Sequence, residues 1–178
     1  MEYIENKTFA EIAVGDSAEL VRVLQPKDIE LFAVMSGDIN PAHVDLEYAQ
    51  SDIFHKVIAH GMWGGALISA VLGTQLPGPG TIYLHQSLDF IRPVGIGDKV
   101  IVKVTVTQKI PEKNEIVLAC ECINQDGELI IKGEAKVIAP SEKVRRPRVI
   151  MPEVHLHETG AHYRKLLAAT HDIAPIRV

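Results

Sequence analysis

The chain has 178 residues, of which 47% are hydrophobic and 23% are charged, a composition typical of one folded domain and outside the range of disordered chains. Residues 1–139 carry 11 basic and 19 acidic side chains, which argues against a nucleic-acid-binding body. The sequence shows no signal peptide, no apolar stretch of about 20 residues and no cysteine spacing typical of core disulfides, so we expect a cytoplasmic protein outside the membrane.

The chain is predicted to begin with a strand and an amphipathic helix. Residues 18–24 alternate weakly between apolar and polar side chains, as in a half-buried strand. Pro26 is tolerated as the first residue of a helix, and apolar residues follow it at spacings of three and four, so a helix is predicted over 26–36. Gly37 then ends the helix, and the stretch GDINPAH is typical of a turn.

The next two predicted elements are helices of different character. A short helix is expected over residues 45–50. The stretch HGMWGGALISAVL, residues 60–72, has no polar stripe, so as a helix it must be buried almost all round. Gly64 and Gly65 within it would let other parts of the backbone approach closely.

The second half of the chain changes from helical spacing to alternation. Four strands separated by short turns are predicted, and they cover residues 81–91, 99–109, 115–123 and 129–138. Consecutive strands with short connections indicate an antiparallel sheet. With the first strand they predict an α+β fold, in which a five-stranded antiparallel sheet wraps around the apolar helix.

The C-terminal part differs in charge from the rest. Residues 140–178 carry 7 basic and 4 acidic side chains, and the basic stretch VRRPR contains Pro147 and lies between Pro140 and Pro152. We therefore predict one domain over residues 1–139, followed over 140–178 by an extended basic linker with a small helical patch near 161–169.

A carboxylate, an amide and an imidazole share the predicted turn: Asp38, Asn40 and His43. Asp38 and Asn40 could simply form Asx turns, a common arrangement, with His43 partly buried beside them. Alternatively, the three groups hold a water molecule, because hydration next to a carbonyl needs a base for the water and a second group to orient it. The spacing leaves both interpretations open.

The start of the predicted buried helix is the second candidate. The N-terminus of a helix presents unpaired N–H groups, and glycine lets a ligand oxygen approach the backbone, so Gly61 could donate to an oxyanion. The alternative is that its small size only relieves crowding. His55 and His60 are near His43 and Asp45, but the spacing matches no zinc motif, so no metal site is predicted.

Three segments of the chain carry a family likeness: FAVMSGDINPAHVDLEYAQ, HKVIAHGMWGGALISAVLG and LPGPGTIYLHQSLDFIRPVGIGD. In order and spacing they resemble the MaoC-like (R)-specific enoyl-CoA hydratases of the hotdog superfamily. The likeness covers about residues 10–139. Its close form is the hydratase portion of bacterial bifunctional enoyl-CoA hydratase/phosphate acetyl- or butyryltransferases. The resemblance implies a hotdog fold, with the sheet wrapped around a central buried helix.

The resemblance also implies a reaction, the reversible syn addition of water to a trans-2-enoyl-CoA to give an (R)-3-hydroxyacyl-CoA. Asp38 and His43 take the positions of the catalytic dyad, and Gly61 takes that of the oxyanion donor. The expected substrate-binding residues are Asn40, His60 and Met62. No cofactor is implied, because coenzyme A is only the acyl carrier of the substrate.

Two kinds of partner follow from the same resemblance. A homodimer joined edge to edge is expected, because an uncovered edge strand pairs readily with another chain. A phosphate acetyl- or butyryltransferase, fused or separate, would be a further partner.

Two other functions stay open at this point. A hotdog acyl-CoA thioesterase would direct water at the thioester carbon instead of C3. A non-catalytic acyl-CoA-binding domain would be favoured if Asp38 and His43 lay far apart.

Overall fold

The computed structural model of this chain describes residues 2–156, in which seven strands, four α-helices and one short 3-10 helix (Pro111–Lys113) are formed. The strands are β1 (Tyr3–Glu5), β2 (Ser17–Val23), β3 (Ile82–Phe90), β4 (Lys99–Ile110), β5 (Glu115–Ile123), β6 (Leu129–Ile138) and β7 (Arg145–Pro147). The helices are α1 (Pro26–Ser36), α2 (Pro41–Val44), α3 (Leu46–Ser51) and α4 (Gly61–Thr74). None of the helices among these residues has the length and apolar character needed to cross a membrane.

The main sheet confirms the predicted α+β fold. Its five strands lie in the order β2-β4-β5-β6-β3, and β5 pairs antiparallel with both β4 and β6. β3 pairs antiparallel with β6, so two strands that follow each other in the chain, β3 and β4, are not neighbours in the sheet. This order leaves β2 and β3 as the two edge strands.

The chain divides into two compact units, and the larger one contains residues up to 21, 64–92 and 100–152. In this unit Ile68 and Val71 of α4 are completely buried. A Cβ atom on Gly64 would lie 2.3 Å from the Cδ1 atom of Ile131 in β6, so a larger residue here would have to displace the end of that side chain. Gly64 therefore lies where the helix packs closely against the sheet.

One face of α4 is exposed, which corrects the prediction that this helix is buried almost all round. After its first turn, the exposed residues of the helix are Ala66, Ser69, Ala70, Gly73 and Thr74. The sheet covers one side of the helix, and the remaining side carries small residues that show no polar stripe in the sequence. The pattern could therefore not distinguish this face from a buried one.

The two cysteines lie on the same face of β5 and are fully buried as free thiols. Burial raises the pKa of Cys120 to about 11 and that of Cys122 to about 12. Both are therefore protonated and unreactive at neutral pH.

The first part of the predicted linker pairs with the N-terminus instead of extending freely. β7 forms a two-stranded antiparallel sheet with β1, in which Tyr3 lies opposite Pro147. The guanidinium of Arg145 lies 4.1 Å from the centre of the Tyr3 ring, and Lys143 forms ion pairs with Glu5 and Glu11. These long-range contacts have no local sequence signal. The predicted helical patch at 161–169 lies outside the described residues.

Among the described residues, the smaller unit contains 22–63, 93–99 and 153–156. Here α1 begins at Pro26 and is closed by Gly37, whose φ of 76° is the left-handed conformation that suits glycine. Ile29 and Ala33 are buried, whereas Met35, another apolar residue of this helix, is 72% exposed. α2 is a single additional turn of helix within the predicted turn GDINPAH.

Candidate active site

The loop between α1 and α2 is shaped by three polar side chains spaced two residues apart. Ser36 Oγ accepts a hydrogen bond from the N–H of Asp38 at 3.1 Å. Asp38 Oδ1 accepts from the N–H of Asn40 at 3.2 Å, and Asn40 Oδ1 accepts from the N–H of Ala42 at 3.1 Å. Both Asx turns are therefore formed. They hold the Asp38 carboxylate by one oxygen, and Oδ2 accepts no hydrogen bond from residues 2–156.

His43 is fixed through one ring nitrogen. Its Nδ1 lies 2.9 Å from the carbonyl oxygen of Ile58. Because a carbonyl oxygen can only accept, Nδ1 carries a proton, which leaves Nε2 as the ring nitrogen that can accept a hydrogen bond. The segment around Ile58 is anchored in turn, since Ile58 forms a β-bridge with Gly95 and the N–H of Ala59 donates to the carbonyl of Val94 at 2.8 Å. The His43 ring therefore has a defined orientation and tautomer.

His60 is the buried member of the site. It is only 2% exposed, and its Nε2 lies 2.9 Å from the backbone carbonyl oxygen of Asp38. Burial lowers the pKa of His60 below 6.5, against the raising effect of the hydrogen bond to Asp38. The nearby His43 lowers the pKa further. His60 is therefore a neutral ring at neutral pH, with Nε2–H as its donor.

Asp38, His43 and His60 meet at one point of the smaller unit. One ligating atom of each residue lies within 4.8 Å of the corresponding atoms of the other two. A water molecule with hydrogen bonds of about 2.8 Å can bridge polar atoms at such separations. The proximity of Asp38 to His43 removes the condition under which a non-catalytic binding domain would be favoured.

A metal ion would also be compatible with these three groups by distance alone. However, Nε2 of His60 lies 2.9 Å from the backbone carbonyl oxygen of Asp38 and therefore carries a proton, and Nδ1 of the same ring is buried. In this tautomer His60 offers a metal ion no accessible lone pair, so its hydrogen bond favours water over a metal ion.

Gly61 is the first residue of α4 and follows His60 directly. The first hydrogen bond at this helix end joins the N–H of Trp63 to the carbonyl of His60 at 3.0 Å. The N–H groups of Gly61 and Met62 have no partner within the helix, and they point outward from its N-terminal end. Gly61 and Met62 are both exposed, and Gly61 is not one of the glycines with positive φ.

The structure thus brings together Asp38, His43 and His60, with Asn40 beside them and Gly61 next in the chain. The Asn40 side chain caps α2 and does not bond to His43. Asp45, the other acid of the predicted neighbourhood, caps α3 through the N–H groups of residues 47 and 48. Two groups that hold the site in place were not predicted, the Ser36 hydroxyl and the Ile58 carbonyl. The sequence contains a signal only for Ser36, which lies two residues before Asp38.

Comparison with known proteins gives consistent matches. Residues 10–125 match the MaoC-like domain family. The (R)-specific enoyl-CoA hydratase of Rhodospirillum rubrum is 50% identical over 133 residues, covering 75% of this chain and 92% of the relative. The 3-hydroxybutyryl-CoA dehydratase of Methylorubrum extorquens is 43% identical over 139 residues, covering 78% and 88%. Among solved structures, unliganded R-hydratase PhaJ1 from Pseudomonas aeruginosa has a TM-score of 0.84 and 44% identity, covering 88% of this chain and 100% of its own.

Proposed function

This chain belongs to the MaoC-like domain family, and we propose that Asp38, His43 and Gly61 carry out its reaction, the reversible addition of water to a trans-2-enoyl-CoA. The chain is an (R)-specific enoyl-CoA hydratase, and its product is an (R)-3-hydroxyacyl-CoA. The hydratase and dehydratase names of the two relatives describe the two directions of this reaction.

The proposed roles rest on two neighbouring hydrogen-bond acceptors, one on Asp38 and one on His43. Oδ2 of Asp38 and Nε2 of His43 are both available as acceptors, and the two residues lie within bridging distance of one water molecule. Such a water donates one proton to each acceptor and keeps an oxygen lone pair free to attack C3. His43 thereby orients the water, and Asp38 acts as the general base.

In the chemical step, the oxygen of water forms a bond to C3 while Asp38 takes one of its protons. Electrons of the C2–C3 double bond move toward the thioester carbonyl, and its oxygen gains negative charge. Asp38 then returns a proton to C2 on the same face of the substrate, so the addition is syn and the carboxylate is regenerated. All proton transfers use groups of the chain and the water itself.

The negative charge on the thioester oxygen needs a donor in the transition state. The N–H of Gly61, at the positive end of α4, is the donor we assign. One such donor contributes about 10²–10³ in turnover in comparable sites. We assign contact with the acyl chain to Met62, which is 55% exposed next to Gly61, and support of Asp38 to the backbone N–H of Asn40. Coenzyme A enters as the carrier of the acyl group.

We further propose that a second copy of the chain covers β3. This edge strand exposes several large apolar side chains, and they are Ile82, Tyr83, Leu84 and Phe90. An apolar edge strand with unpaired backbone groups is a site for pairing with another chain. A homodimer formed through β3 would bury these side chains and complete the pairing. The suggested transferase partner stays a prediction.

The experiment that tests the proposed function uses crotonyl-CoA as substrate. We expect loss of the absorbance of the conjugated enoyl thioester, and chiral analysis of the product should give the (R)-3-hydroxy form. Asp38→Asn removes the base with little change in shape, so turnover should fall about 10²–10⁴-fold. An (S) product, or release of free thiol without hydration, would contradict the proposal.

A further inference from the structure

We propose that His60 is a positioning residue for this reaction, which holds Asp38 and His43 in place beside the start of α4 without binding substrate itself. The inference rests on the proposed function of these two residues. It assigns to His60 a different role from the substrate contact expected from sequence, because a side chain that is 2% exposed is poorly placed to meet a ligand.

The first contact joins two parts of the site that are distant in sequence. Nε2 of His60 donates to the backbone carbonyl of Asp38 across 22 residues of chain. The bond holds the backbone of Asp38 at the point where its side chain leaves the loop. Since His60 is followed directly by Gly61, the same residue sets the distance between the general base and the N–H of Gly61.

The second contact is made by the face of the His60 ring. The His43 ring lies against it with a centroid separation of 4.0 Å, and the Phe32 ring of α1 lies 4.8 Å away. His43 is therefore fixed in two ways, through Nδ1 by the Ile58 carbonyl and through its ring face by His60. Together these contacts limit both rotation and tilt of the ring that orients the water.

The charge state of His60 suits this role. Its Nδ1 is buried and has no hydrogen-bond partner among residues 2–156. Protonation there would create a buried cation with an unsatisfied donor, facing the His43 ring. The charge of Asp38 raises the pKa of His60, but this effect is smaller than the lowering caused by burial. His60 thus remains a neutral Nε2–H donor.

Two substitutions separate the contacts. His60→Phe keeps an aromatic ring against His43 and removes the donor to Asp38. His60→Gln keeps a donor near the position of Nε2 and removes the ring. Because a displacement of about 1 Å at a reacting group can cost 10²-fold in rate, we expect the kcat of His60→Phe to fall about 10–10²-fold, with little change in KM. His60→Gln should recover most of this loss.

The kinetics are measured well below the melting temperature of each variant, so that unfolding does not contribute. Equal kcat values for His60→Phe and wild type would overturn the inference, and so would equal losses in the Phe and Gln variants, which would indicate packing alone. Should His60→Phe not fold, His60→Asn replaces it, since its shorter amide lies near Nδ1 and does not reach the Asp38 carbonyl.

Nitrogen NMR of the wild-type protein tests the geometry independently of activity. We expect His60 to keep a protonated Nε2 and an unprotonated Nδ1 between about pH 6 and 8. A charged or Nδ1-protonated ring would overturn the inference. If the wild type hydrates crotonyl-CoA and His60→Phe is equally active, this inference alone fails. A wild type without hydratase activity would overturn the proposed function itself.

Discussion

Nδ1 of His43 donates to the backbone carbonyl of Ile58 across 2.9 Å, and this contact determines which nitrogen of His43 is left for the proposed reaction. With Nδ1 occupied, Nε2 is left as the acceptor that orients water. In the proposed mechanism the two nitrogens therefore have separate functions, one structural and one catalytic, and substitution can remove one while keeping the other.

His43→Asn is expected to separate these functions. The Asn amide can replace Nδ1 as donor to Ile58, but nothing replaces Nε2. Turnover should therefore fall about 10²–10⁴-fold with little change in melting temperature, as measured with crotonyl-CoA and thermal unfolding. His43→Ala is the control, because it removes both nitrogens and should lower the melting temperature as well. Near wild-type turnover in His43→Asn would exclude His43 from the mechanism.

Gly61 can be tested by removing its N–H without changing the fold. Proline is tolerated as the first residue of a helix, and Gly61 lacks the positive φ that would prevent the substitution. Gly61→Pro should lower turnover about 10²–10³-fold below Gly61→Ala, which keeps the N–H and controls for added bulk. Both should fold and bind the coenzyme A product. Equal activity of the two folded variants would show that Gly61 serves packing only.

The proposed dimer can be tested at the two sheet edges. Leu84 of β3 is 46% exposed and Val21 of β2 is 53% exposed, so the two positions are comparable in the single chain. Leu84→Lys places a charge in the proposed interface and should shift the protein toward monomer in sedimentation experiments, whereas Val21→Lys should have no effect. A wild-type protein that sediments as an active monomer would exclude the dimer.

Stability should depend on pH through His60. Its pKa is lowered below 6.5 in the folded state, so the unfolded chain binds a proton that the folded chain does not. The free energy of unfolding should therefore decrease as pH falls from about 6.5 toward 5, and denaturant titrations would measure this. The pKa of Glu11 is lowered from 4.5 to about 2, so its stabilising effect is lost only as pH falls through that lower range. His60→Gln should weaken the dependence, and an unchanged slope would contradict the assignment.

The sequence by itself determined the positions of the local elements and the identity of the candidate residues. α1 spans the predicted residues 26–36, and β5 and β6 also match their predicted bounds. These elements depend on periodicity and on residues such as Pro26 and Gly37, whose conformational preferences act within a few positions. Asp38 and His43 could be singled out because they share one short loop.

Tertiary structure alone decided how these parts meet. The hydrogen bonds of His43 to Ile58 and of His60 to Asp38 span 15 and 22 residues, and no local preference encodes them. The position of β3 at the sheet edge and the exposed small residues of α4 have the same cause. A side chain's neighbours depend on the path of the whole chain, so the composition of a segment indicates that it can be buried but not which of its faces is covered.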